Sequence, residues 1–180
     1  MYCKVKQVIH TSSFFAALFL GSCYISPLYC TKKVTEQWVI VHGTFATNGN
    51  WHKEDSAERV ALKKALTEKH GHACHIHSFV WSGHNNHVAR LQAAQDFITF
   101  LNKLTPPYHV IAHSHGGTVV LLAAQKLFQE QKSKTIKELY CLGTPLYHTW
   151  YPEAHLRIEK IYNLFSYGDV VQRVLTLFTR

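Results

Sequence analysis

Short, continuously apolar runs recur along the chain, each followed by a longer stretch whose apolar residues return at helical spacing. After a polar tether from Tyr29 to Gln37, the first run is Trp38-Val39-Ile40-Val41. Apolar on every residue and without alternation, it fits a strand buried on both faces of a parallel sheet. Ser56 to Lys69 gathers Val60, Ala61, Leu62, Ala65 and Leu66 on one side, the pattern of an amphipathic helix. His75 to Trp81 predicts a strand, and Asn86 to Leu104 a helix ended by Pro106-Pro107. His109 to Ala112 predicts a strand and Thr118 to Gln131 a helix. Glu138 to Leu142 and Ile161 to Phe165 predict two more strands, and Val170 to Phe178 the start of a further helix.

This β-α-β-α order predicts an α/β fold: a three-layer sandwich around a mostly parallel sheet with right-handed crossovers. Ligands of such sheets sit at the carboxyl ends of the strands. His42-Gly43, Trp81-Ser82-Gly83, Ser114, Gly143-Thr144-Pro145 and Gly168-Asp169 all fall at that edge. One domain, residues 35–180, accounts for the pattern, preceded by residues 1–30 as a leader and the start of the tether. There is no internal repeat and no low-complexity tract.

Chemistry concentrates around Ser114. The stretch His109-Val110-Ile111-Ala112-His113-Ser114-His115-Gly116-Gly117 carries a strand into a serine, then into glycines that open a helix. A sharp turn there lifts the hydroxyl above the sheet and turns the next backbone N–H groups toward an oxyanion. The alternative is an ordinary capping serine on a Gly-rich helix start.

Composition narrows the function classes. Of 180 residues, 47% are hydrophobic, which fits a packed globule and excludes a disordered chain. The formal charge of +8 is dispersed, with no basic run longer than the pairs Lys32-Lys33 and Lys63-Lys64. Such scatter argues against nucleic acid and fits solubility or weak attraction to anionic membranes. The cysteines Cys3, Cys23, Cys30, Cys74 and Cys141 form no C-x-x-C pair and no zinc spacing. Cys141 lies in an apolar run and reads as a core thiol, while a Cys30–Cys74 link stays open. In His70-Gly71-His72-Ala73-Cys74-His75-Ile76-His77, strand alternation puts His75 and His77 on one face. No third ligand stands at diagnostic spacing, so neither a metal nor a cofactor is expected.

The N-terminus reads as an export signal. Lys4 and Lys6 precede the apolar core Phe14 to Leu20, which is shorter than the roughly 20 residues a membrane-spanning helix needs. Leu20-Gly21-Ser22-Cys23 resembles a bacterial lipobox, whose cysteine is acylated in mature lipoproteins. A plain cleaved signal, an uncleaved anchor and no export remain as alternatives. The lipoprotein reading predicts an exported envelope protein held on the membrane by its N-terminal anchor.

Taken together, His42-Gly43-Thr44-Phe45, Phe79-Val80-Trp81-Ser82-Gly83-His84-Asn85 with Arg90, His113-Ser114-His115-Gly116-Gly117, Leu142-Gly143-Thr144-Pro145 and Ser166-Tyr167-Gly168-Asp169 resemble the α/β-hydrolase superfamily. The likeness is to its bacterial lipase- and esterase-like branch, in the family's order over about residues 38–172. The resemblance implies hydrolysis of a carboxylic ester or thioester, with lipid as the substrate class. It makes Ser114 the nucleophile, and the N–H of Thr44 or Phe45, joined by that of His115, the oxyanion hole. Ala112 stands where the family's elbow usually begins with Gly. The family's chain order is serine, acid, histidine; of the aspartates Asp55, Asp96 and Asp169, only Asp169 follows Ser114. Asp169 as a plain helix cap for Val170, and Gly43 as a plain turn, are the competing readings.

The family's base is not in place, because the 11 residues after Asp169 contain no histidine. The last strand and histidine loop of the family are therefore not recognised, and the chain reads as C-terminally short. Three explanations compete: a shortened reading frame, a degenerate hydrolase that binds an acyl ligand or partner without turnover, and a displaced base at His148 or His155. The aromatic stretch Pro145 to Pro152 either walls an acyl pocket or merely covers the sheet end. Two functional readings follow: a serine hydrolase of lipid esters, or a non-catalytic lipoprotein binding a lipid or protein.

Overall fold

Five strands and three α-helices alternate in the computed structural model, which describes residues 35–47, 49, 51–145 and 151–164. The described residues fall within one compact unit, Lys33–Arg180. In chain order the elements are β1 (Gln37–Val41), α1 (Ala57–His70), β2 (His75–Phe79), α2 (His87–Leu101), β3 (Tyr108–His113), α3 (His115–Gln129), β4 (Ile136–Leu142) and β5 (Ile158–Leu164). A single 3-10 turn, Ala154–Arg157, leads into β5.

The strand order is β2-β1-β3-β4-β5, and every described pairing is parallel. From β1 the chain steps outward to β2, then returns past β1 to β3. Consecutive connections leave β1 and β3 in opposite directions, which opens a crevice above their carboxyl ends. That reversal is what positions the site.

Alternation along the strands builds two faces. Val39, Val41, Val110, Ala112, Leu139 and Cys141 face α2 and α3, meeting Phe97, Ile98, Val119, Val120 and Leu127 in the main core. Trp38, with Ile76, Ile111 and Tyr140, faces α1 through Leu62 and Leu66. Burial pushes the Cys141 thiol up to about 11, and both Cys74 and Cys141 are buried free thiols.

Capping sets the helix ends. The Ser56 side chain accepts from the Arg59 N–H to start α1, and Gly71 at φ 66° ends it. The Asn86 side chain accepts from the Ala89 N–H at the start of α2. Two element starts fall three residues before the periodicity places them. Helix α3 begins at His115 rather than Thr118, because Gly116 and Gly117 form its first turn, Gly116 against the backbone of Val41 and His42 and Gly117 against the Thr144 side chain. Strand β5 begins at Ile158 rather than Ile161; Glu159 and Lys160 are exposed there, so no apolar run marks its start. The expected helix from Val170 to Phe178 and the leader lie outside the described residues.

Candidate active site

Ser114 joins the last residue of β3 to the first of α3, with φ 51° and ψ −131°. An L-residue held there costs about 1–3 kcal/mol and persists only where surrounding contacts impose it. Its N–H donates to the Leu142 carbonyl at 2.9 Å, and its carbonyl accepts from the Gly117 N–H at 3.0 Å. The Ser114 side chain makes no capping bond, so the hydroxyl is not committed to the helix.

Close backbone approach holds the turn against β1. A methyl group on Gly116 would lie 2.5 Å from the His42 carbonyl oxygen and 2.7 Å from that of Val41. One on Gly43 would lie 2.9 Å from Ser114 Cβ and 3.0 Å from His113 Nδ1. The His42–Phe45 loop and the serine turn are thus in van der Waals contact. The His115 amide, at the first helical position, has no intrahelical partner by geometry.

The amides of Thr44 and Phe45 separate here. Phe45 sits at φ 58° and donates its N–H to the Gly83 carbonyl at 3.0 Å. Of the two expected oxyanion donors, the Phe45 N–H is thus engaged with Gly83. Thr44 keeps an amide with no backbone partner among the described residues, and its hydroxyl oxygen is buried without a hydrogen-bond partner.

Two struts that the sequence pattern did not reveal hold this loop. His42 is fully buried. Its Nε2 accepts from the Trp81 backbone N–H at 3.1 Å, which leaves the ring hydrogen on Nδ1 to donate to the Gly43 carbonyl at 2.8 Å. The Trp81 indole N–H returns a bond to the His42 carbonyl at 2.8 Å. Arg59, nearly buried on α1, donates to the carbonyls of His52 and Ile76 and to the Ser78 hydroxyl. His52 stacks on His42 at 5.0 Å between ring centroids. Burial, and then the neighbouring His42, hold its pKa below the ordinary histidine value.

The His115 ring is partly buried, with Nδ1 3.4 Å from the Thr118 hydroxyl. Burial lowers its pKa, and the Arg90 guanidinium lowers it further. A cleft of about 260 Å³ beside the turn is lined by Trp51, His113 and Leu142. A larger pocket, about 520 Å³, lies over α1 and β2 among Glu54, Arg59, Cys74, His75 and His77, none of which touches the serine turn. Around the carboxyl edge Phe45, Val80, Val88 and Leu91 are exposed.

Of the expected site residues, Ser114, Thr44 and His115 come together at the switch point. His155 does not. The turn carrying it packs on the far half of α3, where the Glu153 N–H donates to Gln125 Oε1 at 3.0 Å. Gln125 lies roughly 15 Å along α3 from its start, and β5 has yet to begin, so His155 is at the amino edge of the sheet, away from Ser114. That placement removes it as a displaced base. His148 and Asp169 lie outside the described residues.

Among solved structures, an extracellular alpha/beta-hydrolase from a Paenibacillus species aligns at 22% identity and a TM-score of 0.41, over 62% of this chain and 41% of that one. Its description states structural and functional homology to tobacco salicylic acid binding protein 2. The chain therefore spans about two fifths of that protein. A protein described as a cell surface hydrolase from Lactobacillus plantarum WCFS1 aligns at 9% identity and a TM-score of 0.45, over 80% of this chain and 90% of that one. No curated protein matches in sequence. The model of the alpha/beta hydrolase family matches residues 38–172. With most of its length matched and a parallel sheet in the family's arrangement, the chain belongs to the alpha/beta hydrolase family.

Proposed function

We propose that this hydrolase-fold protein cleaves carboxylic esters of lipids with Ser114 as nucleophile. The observation that carries the reading is Ser114 itself: a positive-φ serine at the switch point, its side chain free of any capping bond, with the His42–Phe45 loop packed against it. The hydroxyl attacks the acyl carbon, and the developing oxyanion is held by the N–H groups of Thr44 and His115. Asp169 orients the base, and His148 is the histidine after Ser114 that keeps this role once His155 lies at the opposite edge. The apolar rim of Phe45, Val80, Val88 and Leu91 supports an acyl chain as the ligand. The leader places the protein on the envelope membrane through lipidated Cys23, which mass spectrometry of the mature N-terminus tests.

A fluorophosphonate probe tests the chemistry. Wild type is labelled, Ser114→Ala is not, and His148→Ala is labelled far more slowly. The rival reading is a non-catalytic binder of lipid or protein in the same cleft. No labelling of folded wild type anywhere between about pH 6 and about pH 9 overturns the enzyme reading in favour of the binder.

A further inference from the structure

At the amino edge of the sheet, opposite Ser114, three histidines gather around one carboxylate. Glu36 precedes β1, His70 ends α1, His72 follows the left-handed Gly71, and His109 is the second residue of β3. Glu36 Oε2 stands 3.0 Å from His70 Nδ1, and Glu36 Oε1 stands 3.6 Å from His109 Nε2. Neither contact has hydrogen-bonding geometry: Glu36 Oε2, His70 Nε2 and His109 Nε2 are all buried without a hydrogen-bond partner. One ligand atom each from Glu36, His70 and His72 lies within 4.8 Å of the other two.

The surroundings orient these groups. The His109 side chain is 1% exposed, with Nδ1 3.0 Å from Glu138 Oε2 and the ring stacked on Trp38 at 4.5 Å. The Tyr140 hydroxyl also donates to Glu138 Oε2, at 3.0 Å. With the Nδ1 hydrogen donated to Glu138, His109 Nε2 presents a lone pair to the Glu36 carboxylate. Two acceptors facing one another are repulsive; the Lys137 ammonium, 3.4 Å from Glu36 Oε1, offsets this on one oxygen, while Glu36 Oε2 and His70 Nε2 stay buried without a partner.

We propose that Glu36, His70 and His72 bind a divalent transition-metal ion of the zinc type. Two imidazoles and one carboxylate suit zinc, nickel or cobalt rather than magnesium or calcium. Donors in a tetrahedral zinc site stand roughly 3.4 Å apart; Glu36 Oε2 and His70 Nδ1 are already that close, at 3.0 Å, so closing on the ion falls to the third ligand. His72 supplies that movement. It is partly exposed in the α1–β2 turn, and its Nδ1 lies 3.2 Å from the Ala73 carbonyl, which leaves Nε2 for the ion. Solvent fills the fourth position from the same side. Lys137 Nζ, 3.4 Å from Glu36 Oε1, opposes the ion, but its side chain is 42% exposed and can swing into water. The bound ion would clip the α1–β2 turn to the entry of β1, remote from the hydrolytic crevice.

The test uses the full chain, freed of metal with a chelator and titrated with Zn2+ while heat release and melting temperature are read. The site predicts one ion per chain and a melting temperature about 5–10 °C higher at a hundredfold excess over Kd. Glu36→Gln and His72→Ala each weaken binding at least about tenfold. His75→Ala with His77→Ala, the neighbouring strand histidines, leaves it unchanged. Cobalt in place of zinc gives the intense visible bands of a four-coordinate site. Absence of any thermal shift, or binding that survives Glu36→Gln and His72→Ala but is lost with His75 and His77, overturns the proposal.

Discussion

Gly116→Ala isolates the contact on which the serine turn depends. The new methyl would stand 2.5 Å from the His42 carbonyl oxygen and 2.7 Å from that of Val41, both inside the 3.0 Å that real Cβ atoms respect. Both partners are backbone at the end of a central strand, so no side-chain rotation relieves the clash. Retreat of α3 is opposed by α2 and the 154–157 turn, which pack on it. Alanine in a helical turn gains about 1 kcal/mol over glycine, whereas overpacking a close-packed site costs about 1–3 kcal/mol and more when backbone must move. The clash wins, and the net loss is about 2 kcal/mol, a fall in melting temperature of roughly 4–8 °C for a domain of this size. Gly71→Ala is the control: its methyl meets nothing within 4 Å, and only the φ of 66° resists it. Thermal melts of both variants, with fluorophosphonate labelling well below the transition, give the readout. Gly116→Ala also slows labelling, since Ser114 and the His115 amide move with the helix start, while Gly71→Ala labels normally. A Gly116→Ala protein at least as stable as wild type would show that helix propensity outweighs the contact and refute the reasoning.

Three further outcomes follow from the same geometry. His42→Phe fills the space but strips the Trp81 N–H of its acceptor and the Gly43 carbonyl of its donor; at about 1–3 kcal/mol per stranded buried group, denaturant unfolding reports a loss of about 2–4 kcal/mol. Arg59→Met removes the guanidinium donor from the Ile76 carbonyl and leaves the His52 carbonyl with the Ser78 hydroxyl, costing about 1–3 kcal/mol, and limited proteolysis detects a loosened loop around Trp51. The third concerns pH. Burial lowers the pKa of His52 and His115 below the 6.5 of an unfolded histidine, so the unfolded chain binds more protons in the window just below 6.5. Stability is therefore fully present above that value and declines as pH falls through it. Melts between about pH 8 and about pH 5 check the sign, and His115→Gln flattens the slope. A melting temperature that rises on acidification contradicts it.

Local order was legible in the residues because it is a local property. Continuous apolar runs marked β1, β3 and β4, caps at Ser56 and Asn86 marked two helices, and glycines after a serine marked the turn at Ser114. These signals depend on neighbours within a few positions, where periodicity and backbone sterics act. Strand β5 was placed three residues late, since Glu159 and Lys160 near its start are polar and exposed and no apolar run marks it there. What escaped sequence reading depends on strand order and register, which bring distant residues together. Trp81 and His42 bond across 39 residues, and Phe45 and Gly83 across 38, so a strut and a spent amide both read as loop. Glu36, His70, His72 and His109 share no spacing that a pattern would detect. They meet only because α1 returns its end to the entry of β1 while β3 pairs alongside. The chain's own residues set which segments become strands, helices and a serine turn. Tertiary packing alone decides which amide stays free, which histidine is buried as a strut, and which carboxylate is ringed by imidazoles, because those are contacts between surfaces that exist only once the sheet has closed.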